Sequence, residues 1–371
     1  MKKALSIFST IAAAIIVIVI GNIVIAAQDA PKPPDAPIDS AAKTEAINVL
    51  LKELNDRYVF PEVAKKMETD VRARQKNKEY DSITSAQEFA KKLTDDLQSV
   101  SRDKHMRVRF SQKPIPIREK AEEETAEEKK ETERMMKINN YGFVKIENMR
   151  GNIGYIDFRG FMDPEGGAET VAAAMNFVSN SDALIFDLRQ NGGGDPAMVA
   201  LICSYLFGEK VHLNDLYWRE GNETKEFWTN PKVAGKKFLD KQIYVLTSNR
   251  TFSGAEEFSN NLKVLKRATI VGETTGGGAN PGGMFRLTEH FGIFIPTGRA
   301  INPVTKTNWE GTGVEPDVKV PQDQALKTAY SLALNKSLEK ADNNGMKDAL
   351  KRLIEQNQKE LDEMKKVAQT K

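Results

Sequence analysis

The 371-residue sequence predicts an α/β core preceded by a small helical N-terminal domain. Three patterns carry that prediction. From Asn152 to Val271, apolar strand-like runs alternate with helical patterns, as in stacked βα units around a central sheet. From Ala41 to about Ser101, apolar residues recur at helical spacing instead. Between these stretches, Glu119 to Lys137 is almost all charge, a solvated helix or a disordered linker without chemistry of its own.

Taken in order, Lys2 and Lys3 precede an apolar run from Ala4 to Ala27. Residues 1–27 therefore read as a signal peptide or a retained N-terminal membrane anchor, with small residues near Ala26 and Ala27 for cleavage. No cysteine follows the run, so a lipid-anchored form is excluded. The chain is expected to work outside the cytoplasm, in a bacterial periplasm or envelope or beyond it. Residues 28–40, with Pro31, Pro33, Pro34 and Pro37, read as a tether. Residues 41–111 form the helical domain. Ile47, Leu50, Leu51, Leu54 and Tyr58 share a helix face, and Pro61 suits the first turn of a helix containing Val63, Met67 and Val71. Ser85 and Glu88 have capping-box spacing before Phe89, Leu93 and Leu97. Met106, Val108 and Phe110 alternate with Arg107 and Arg109 as in a half-buried strand.

After a charged linker, 112–140, residues 141–335 form the core. Its strands are Asn152 to Phe158, Ala183 to Leu188, Gln242 to Thr247 and Ala268 to Val271. Its helices are Ala168 to Val178, Pro196 to Phe207 and one opening at Ser253; Phe285 to Val320 reads as short strands and turns. Residues 336–371 are a charged helix that packs on the surface, extends as a coiled segment or is partly mobile.

Composition narrows the function. A net charge of +2 gives no support for nucleic-acid binding. The single cysteine, Cys203, excludes an intrachain disulfide and lies in an apolar helical pattern as a buried structural thiol. The three histidines are scattered, so no metal site is expected. The run Asp187-Leu-Arg-Gln-Asn-Gly-Gly-Gly194 lets backbone approach a ligand, yet it lacks P-loop and dinucleotide-binding spacing, so no cofactor is expected. A strand, a turn, Ser253 and a helix make the geometry of an activated serine; a simple helix cap is the competing reading. A serine nucleophile needs a proton acceptor; of the three histidines, His212 and His290 read as structural or exposed, and His105 taken alone reads by default as structural too. Glu310, in a loop of glycines, prolines and Trp309, is placed to orient a histidine or is simply solvated.

Several of these motifs, in this order, resemble peptidase family S41, which includes the C-terminal processing proteases, the tricorn core and the interphotoreceptor retinoid-binding proteins. They are Asp103-Lys-His105, Asp187 to Gly194, Thr251-Phe-Ser-Gly-Ala-Glu-Glu-Phe258, Gly272 to Gly278, and Asn302-Pro to Asp317. The bacterial retinoid-binding-protein-like branch is most similar. The resemblance implies a ClpP/crotonase-like core, Ser253 as nucleophile, His105 as base and Glu310 as its orienting acid. It also implies an oxyanion hole from the N–H groups of Gly254 and Gly193. Asn191, Gly192 and Gly194 are expected to bind an extended peptide substrate. Gly278 stands where the processing proteases have their lysine base, and Lys104 stands where the tricorn branch has a serine; Lys104 is the alternative base. The span between His105 and Gly154 is too short for a PDZ domain. The reading is a serine peptidase using a Ser-His-Glu triad and an acyl-enzyme, with a noncatalytic lipid-, retinoid- or peptide-binding protein as the alternative.

Overall fold

A computed structural model describes residues 35–117 and 125–369; residues 1–34, which hold the expected signal or anchor and most of the tether, lie outside this range. Helices α1 (Ser40–Arg57), α2 (Pro61–Lys76) and α3 (Ala86–Ser101) come first, followed by strand β1 (Arg107–Phe110). Pro61 occupies the first turn of α2, and the Ser85 hydroxyl accepts from Glu88 N at 3.0 Å. Within the charged segment, α4 (Ala126–Ile138) is a helix without a buried residue, opened by a reciprocal capping box between Thr125 and Glu128.

The core follows as β2 (Phe143–Met149), β3 (Ile153–Phe158), α5 (Pro164–Val178), β4 (Ala183–Asp187) and α6 (Pro196–Ser204). Next come β5 (His212–Trp218), β6 (Glu223–Trp228), β7 (Gln242–Thr247), α7 (Gly254–Val264) and β8 (Thr269–Gly272). The chain ends with β9 (Gly282–Arg286), β10 (Phe291–Pro296), β11 (Gly298–Ile301), β12 (Val318–Lys319), α8 (Gln322–Lys340) and α9 (Asn344–Gln369). The main sheet has the order β12-β8-β7-β4-β3-β2, parallel except for the β2–β3 pair.

Alternation along β4 and β7 builds the layers. Leu184, Phe186, Ile243 and Val245 pack beneath α5, α6 and α7, while Ile185, Tyr244 and Leu246 pack against α8 and α9. Both faces are covered, which is why these strands read as unbroken apolar runs. The C-terminal segment is thus neither extended nor free. Helix α8 runs through the boundary expected at residue 335, and α9 packs on it through Leu350, with buried Asn357 donating to Lys327 O at 2.8 Å.

The helical domain shares its core with the later chain. Strand β1 pairs antiparallel with β10, and Leu287, Phe291, Ile293 and Ile295 join the same apolar cluster as Leu50, Leu54, Phe89 and Leu93. His105, in the turn between α3 and β1, is thereby carried to the edge of the core. There the ends of β4 and β7 lie side by side and release their loops on the same edge, as expected for ligand sites in parallel sheets.

Candidate active site

The loops after β4 and β7 are bonded to one another. Thr251 Oγ1 donates to Leu188 O at 2.8 Å, Ser248 Oγ to Arg189 O at 2.6 Å, and Phe252 N to Asn191 O at 3.1 Å. Ser253 then turns the chain into α7 with φ 53° and ψ −122°. A side chain in that left-handed region costs about 1–3 kcal/mol, a strain typical of functional sites. Glu256 supports the turn. This buried carboxylate accepts from Ser253 N at 2.9 Å, Gly277 N at 2.6 Å, Gly278 N at 2.8 Å and Thr275 Oγ1 at 2.5 Å. Burial still pushes its pKa up to about 6 against those four donors.

The glycine loop departs from expectation. Gly193 N donates to Asn191 Oδ1 at 2.8 Å, so it is not the free oxyanion donor that the motif suggested. Asn191 is fully buried and also donates to Phe158 O at 3.0 Å; it shapes the loop instead of lining a substrate channel. Gly193 and Gly194 have φ 102° and 141°, and a Cβ on Gly194 would sit 1.9 Å from Phe161 O. The bridge between Phe161 and Gly194 is closed by Phe161 N to Gly193 O and Asp195 N to Phe161 O, 2.9 and 2.6 Å. In a parallel bridge of this kind the N–H of Gly194 itself points away from Phe161. A Cβ on Gly254 would lie 2.9 Å from Gly194 O and 3.0 Å from Gly194 N, so the start of α7 packs directly on the Gly194 backbone. Gly192 is exposed, with open space over its Cα.

His105 packs against Phe252, the residue before Ser253, with ring centroids 4.5 Å apart, and stacks on Phe294 at 5.8 Å. No hydrogen bond joins its ring to the Ser253 hydroxyl. Burial, with Arg107 adding to it, pushes its pKa down to about 3, so the resting imidazole is neutral. A Cβ on Gly278 would lie 2.2 Å from Phe252 Cζ and 2.7 Å from His105 Cε1, so no lysine fits there. Lys104, the alternative base, is exposed and donates to Gly276 O at 2.6 Å.

Glu310 comes close beside His105, as the motif order suggested. Its Oε2 accepts from Ala279 N at 2.6 Å, and Trp309 Nε1 donates to Gly278 O at 2.8 Å, so this loop and Glu256 clamp Gly277 to Ala279 between them. Asp103, to which the motif assigned no task, completes the group. One ring nitrogen of His105 and one oxygen each from Asp103 and Glu310 lie within 4.8 Å of one another. Zinc ligands, about 2.0–2.1 Å from their ion, sit roughly 3.3 Å apart. The 3.8 Å from His105 Nδ1 to Asp103 Oδ1 is wider, and the group suits shared protons better than an ion. His212 has polar company that the sequence did not suggest: its Nε2 bonds Asp215 Oδ1 at 2.6 Å, near Glu226, while its ring stacks on Trp228 at 4.1 Å. His290 Nδ1 bonds Ser111 O at 2.9 Å. Cys203 is buried as expected, its thiol pushed up by burial. Among the described residues no helix is long and apolar enough to cross a membrane.

Known proteins share parts of this sequence and fold. A carboxyl-terminal-processing peptidase 2 of Arabidopsis thaliana chloroplasts is 26% identical over 183 residues, covering 46% of this chain and 32% of its own length. The chain thus spans about a third of that relative, which is 32% covered. A peptidase candidate from Parabacteroides merdae has a similar fold, with TM-score 0.58 at 19% identity over 81% of this chain and 99% of that one. A lipoprotein from Streptococcus agalactiae follows at TM-score 0.51 and 17% identity, covering 82% and 98%. Residues 152–320 match the model of peptidase family S41, and residues 40–141 match that of the N-terminal domain of Peptidase_S41 in eukaryotic IRBP. With the serine turn, the glycine loop and the histidine on one edge of an α/β core, the chain belongs to peptidase family S41.

Proposed function

We propose that the protein is an exported serine peptidase that hydrolyses peptide bonds through an acyl-enzyme. The observation that carries this reading is the neutral His105 ring, set between the Phe252 flank of Ser253 and the carboxyl groups of buried Asp103 and half-buried Glu310. In the acylation step the Ser253 oxygen bonds to the substrate carbonyl carbon while its proton moves to His105 Nε2. The imidazolium then protonates the leaving amine as the C–N bond breaks. Water repeats the sequence and releases the acid. Glu310, fixed by Ala279 N, orients the ring. The N–H groups of Gly254 and Gly194 supply the oxyanion hole in this reading, since that of Gly193 is committed to Asn191. One such donor is typically worth about 2.7–4 kcal/mol of barrier.

The open face over Gly192 suits an extended peptide bonded through its main chain. Export follows from the basic and apolar run at residues 2–27. The test is a fluorophosphonate probe applied to wild type, Ser253→Ala and His105→Ala. Labelling confined to wild type is the expected result. A folded wild type that stays unlabelled would sink the peptidase reading in favour of a noncatalytic lipid- or peptide-binding protein.

A further inference from the structure

We infer that Asp103 is a positioning residue that shares one negative charge with Glu310 beside His105, so that the carboxyl pair, and not Glu310 alone, readies the ring to take a proton. The inference rests on the reading of His105 as base. It comes from counting donors. His105 Nδ1, Glu310 Oε1 and Asn280 Oδ1 are all buried without a hydrogen-bond partner. Both oxygens only accept, and Nδ1 donates only when it carries the proton. The pocket therefore has fewer protons than its orphaned atoms need, and an extra proton on a carboxyl relieves the deficit.

The two carboxyls are not equivalent. Asp103 is 1% exposed and well supplied: His105 N donates to its Oδ1 at 3.1 Å, and Asn280 Nδ2 and Tyr58 OH donate to its Oδ2 at 2.9 and 3.3 Å. Glu310 receives Ala279 N on Oε2, and Asn280 N also favours its charged form, while Oε1 has no hydrogen-bond partner. Donors favour the charged form, so the charge belongs on Asp103 and the proton on Glu310 Oε1. Burial, then the neighbouring Asp103, push the Glu310 carboxyl up to about 8, with Glu256 on α7 acting in the same direction. Burial also raises Asp103, against its three donors. On the other side, Arg107 on β1 opposes protonation of His105. When the Ser253 proton reaches Nε2, the ionised Asp103 faces the new imidazolium, Glu310 keeps its proton, and no further proton enters or leaves.

The experiment measures fluorophosphonate labelling rates against pH, and thermal midpoints from about pH 5 to about pH 9, for the full chain and its variants. A carboxyl raised on folding contributes stability that is whole below its unfolded value and lost as pH rises through its folded value, here about 8. Asp103→Asn removes the repulsion, so the fall of the midpoint with pH becomes shallower, and labelling slows about ten- to a hundredfold. Glu310→Gln flattens the same fall, and the double variant flattens it no further than the stronger single. Unchanged midpoint slope and unchanged labelling profile in Asp103→Asn overturn the inference while leaving the serine assignment intact. Labelling that survives in Ser253→Ala overturns the serine assignment itself. Should Asp103→Asn fail to fold, Tyr58→Phe withdraws one donor from Asp103 and shifts both readouts in the same direction, more weakly; a silent Tyr58→Phe overturns the inference.

Discussion

Behind Ser253 the Glu256 carboxylate is fully matched, whereas around His105 buried polar atoms are left without partners. Glu256 receives four donors, and the turns after β4 and β7 exchange three more hydrogen bonds. Across the site, His105 Nδ1, Glu310 Oε1 and Asn280 Oδ1 have none. In the proposed mechanism the nucleophile side uses backbone geometry, which must hold still while a strained φ is maintained, and the base side uses protons, which must move. A buried network completed by fixed donors is rigid, whereas one left short of a proton keeps its titration within reach.

The contrast can be broken from either side. Ser253→Ala has the largest expected effect, a loss of labelling and hydrolysis of at least about a thousandfold, with circular dichroism unchanged. Glu256→Ala follows. It strands four donors in a buried site, at roughly 3–5 kcal/mol, read as a lower denaturation midpoint. With the serine turn released, labelling drops on the order of a hundredfold. Wild-type stability in that variant would show that the nucleophile side does not depend on its carboxylate.

Gly278→Ala probes the seam between the halves. Its Cβ meets the Phe252 ring at 2.2 Å and His105 Cε1 at 2.7 Å. Such overpacking costs about 1–3 kcal/mol, and the displaced imidazole slows labelling more than the midpoint falls. The smallest effect concerns Glu257, one turn into α7, whose burial pushes its carboxyl up to about 8. Its stabilising protonated form is whole at acid pH and lost as pH rises towards 8, so the thermal midpoint declines over that window. Glu257→Gln is expected to flatten the decline by several degrees, separately from the Asp103 and Glu310 pair.

Parts of this arrangement were legible beforehand. The strand, turn and serine at Gln242 to Ser253 are local, and the helical faces of residues 47–58 and 89–97 follow from periodicity. Glu256 stood at capping-box spacing from Ser253, a signal sufficient to find one of its four bonds. The other three come from Thr275, Gly277 and Gly278, some twenty residues later, and no local pattern announces them. Gly193 and Gly194 illustrate the same limit. Adjacent glycines are indistinguishable in sequence, and it is the Asn191 side chain, folded back on the loop, that takes one N–H and leaves the other.

The sequence by itself determined the layers and the serine turn, because periodicity, turn chemistry and residue type act over a few neighbours. The tertiary structure alone decided that β1 joins β10, that Tyr58 and Asn280 meet over Asp103, and that Asp103 and Glu310 lie together beside His105. These depend on contacts between residues far apart in the chain, 177 apart for Asp103 and Asn280, where burial sets the strength of each charge and hydrogen bond.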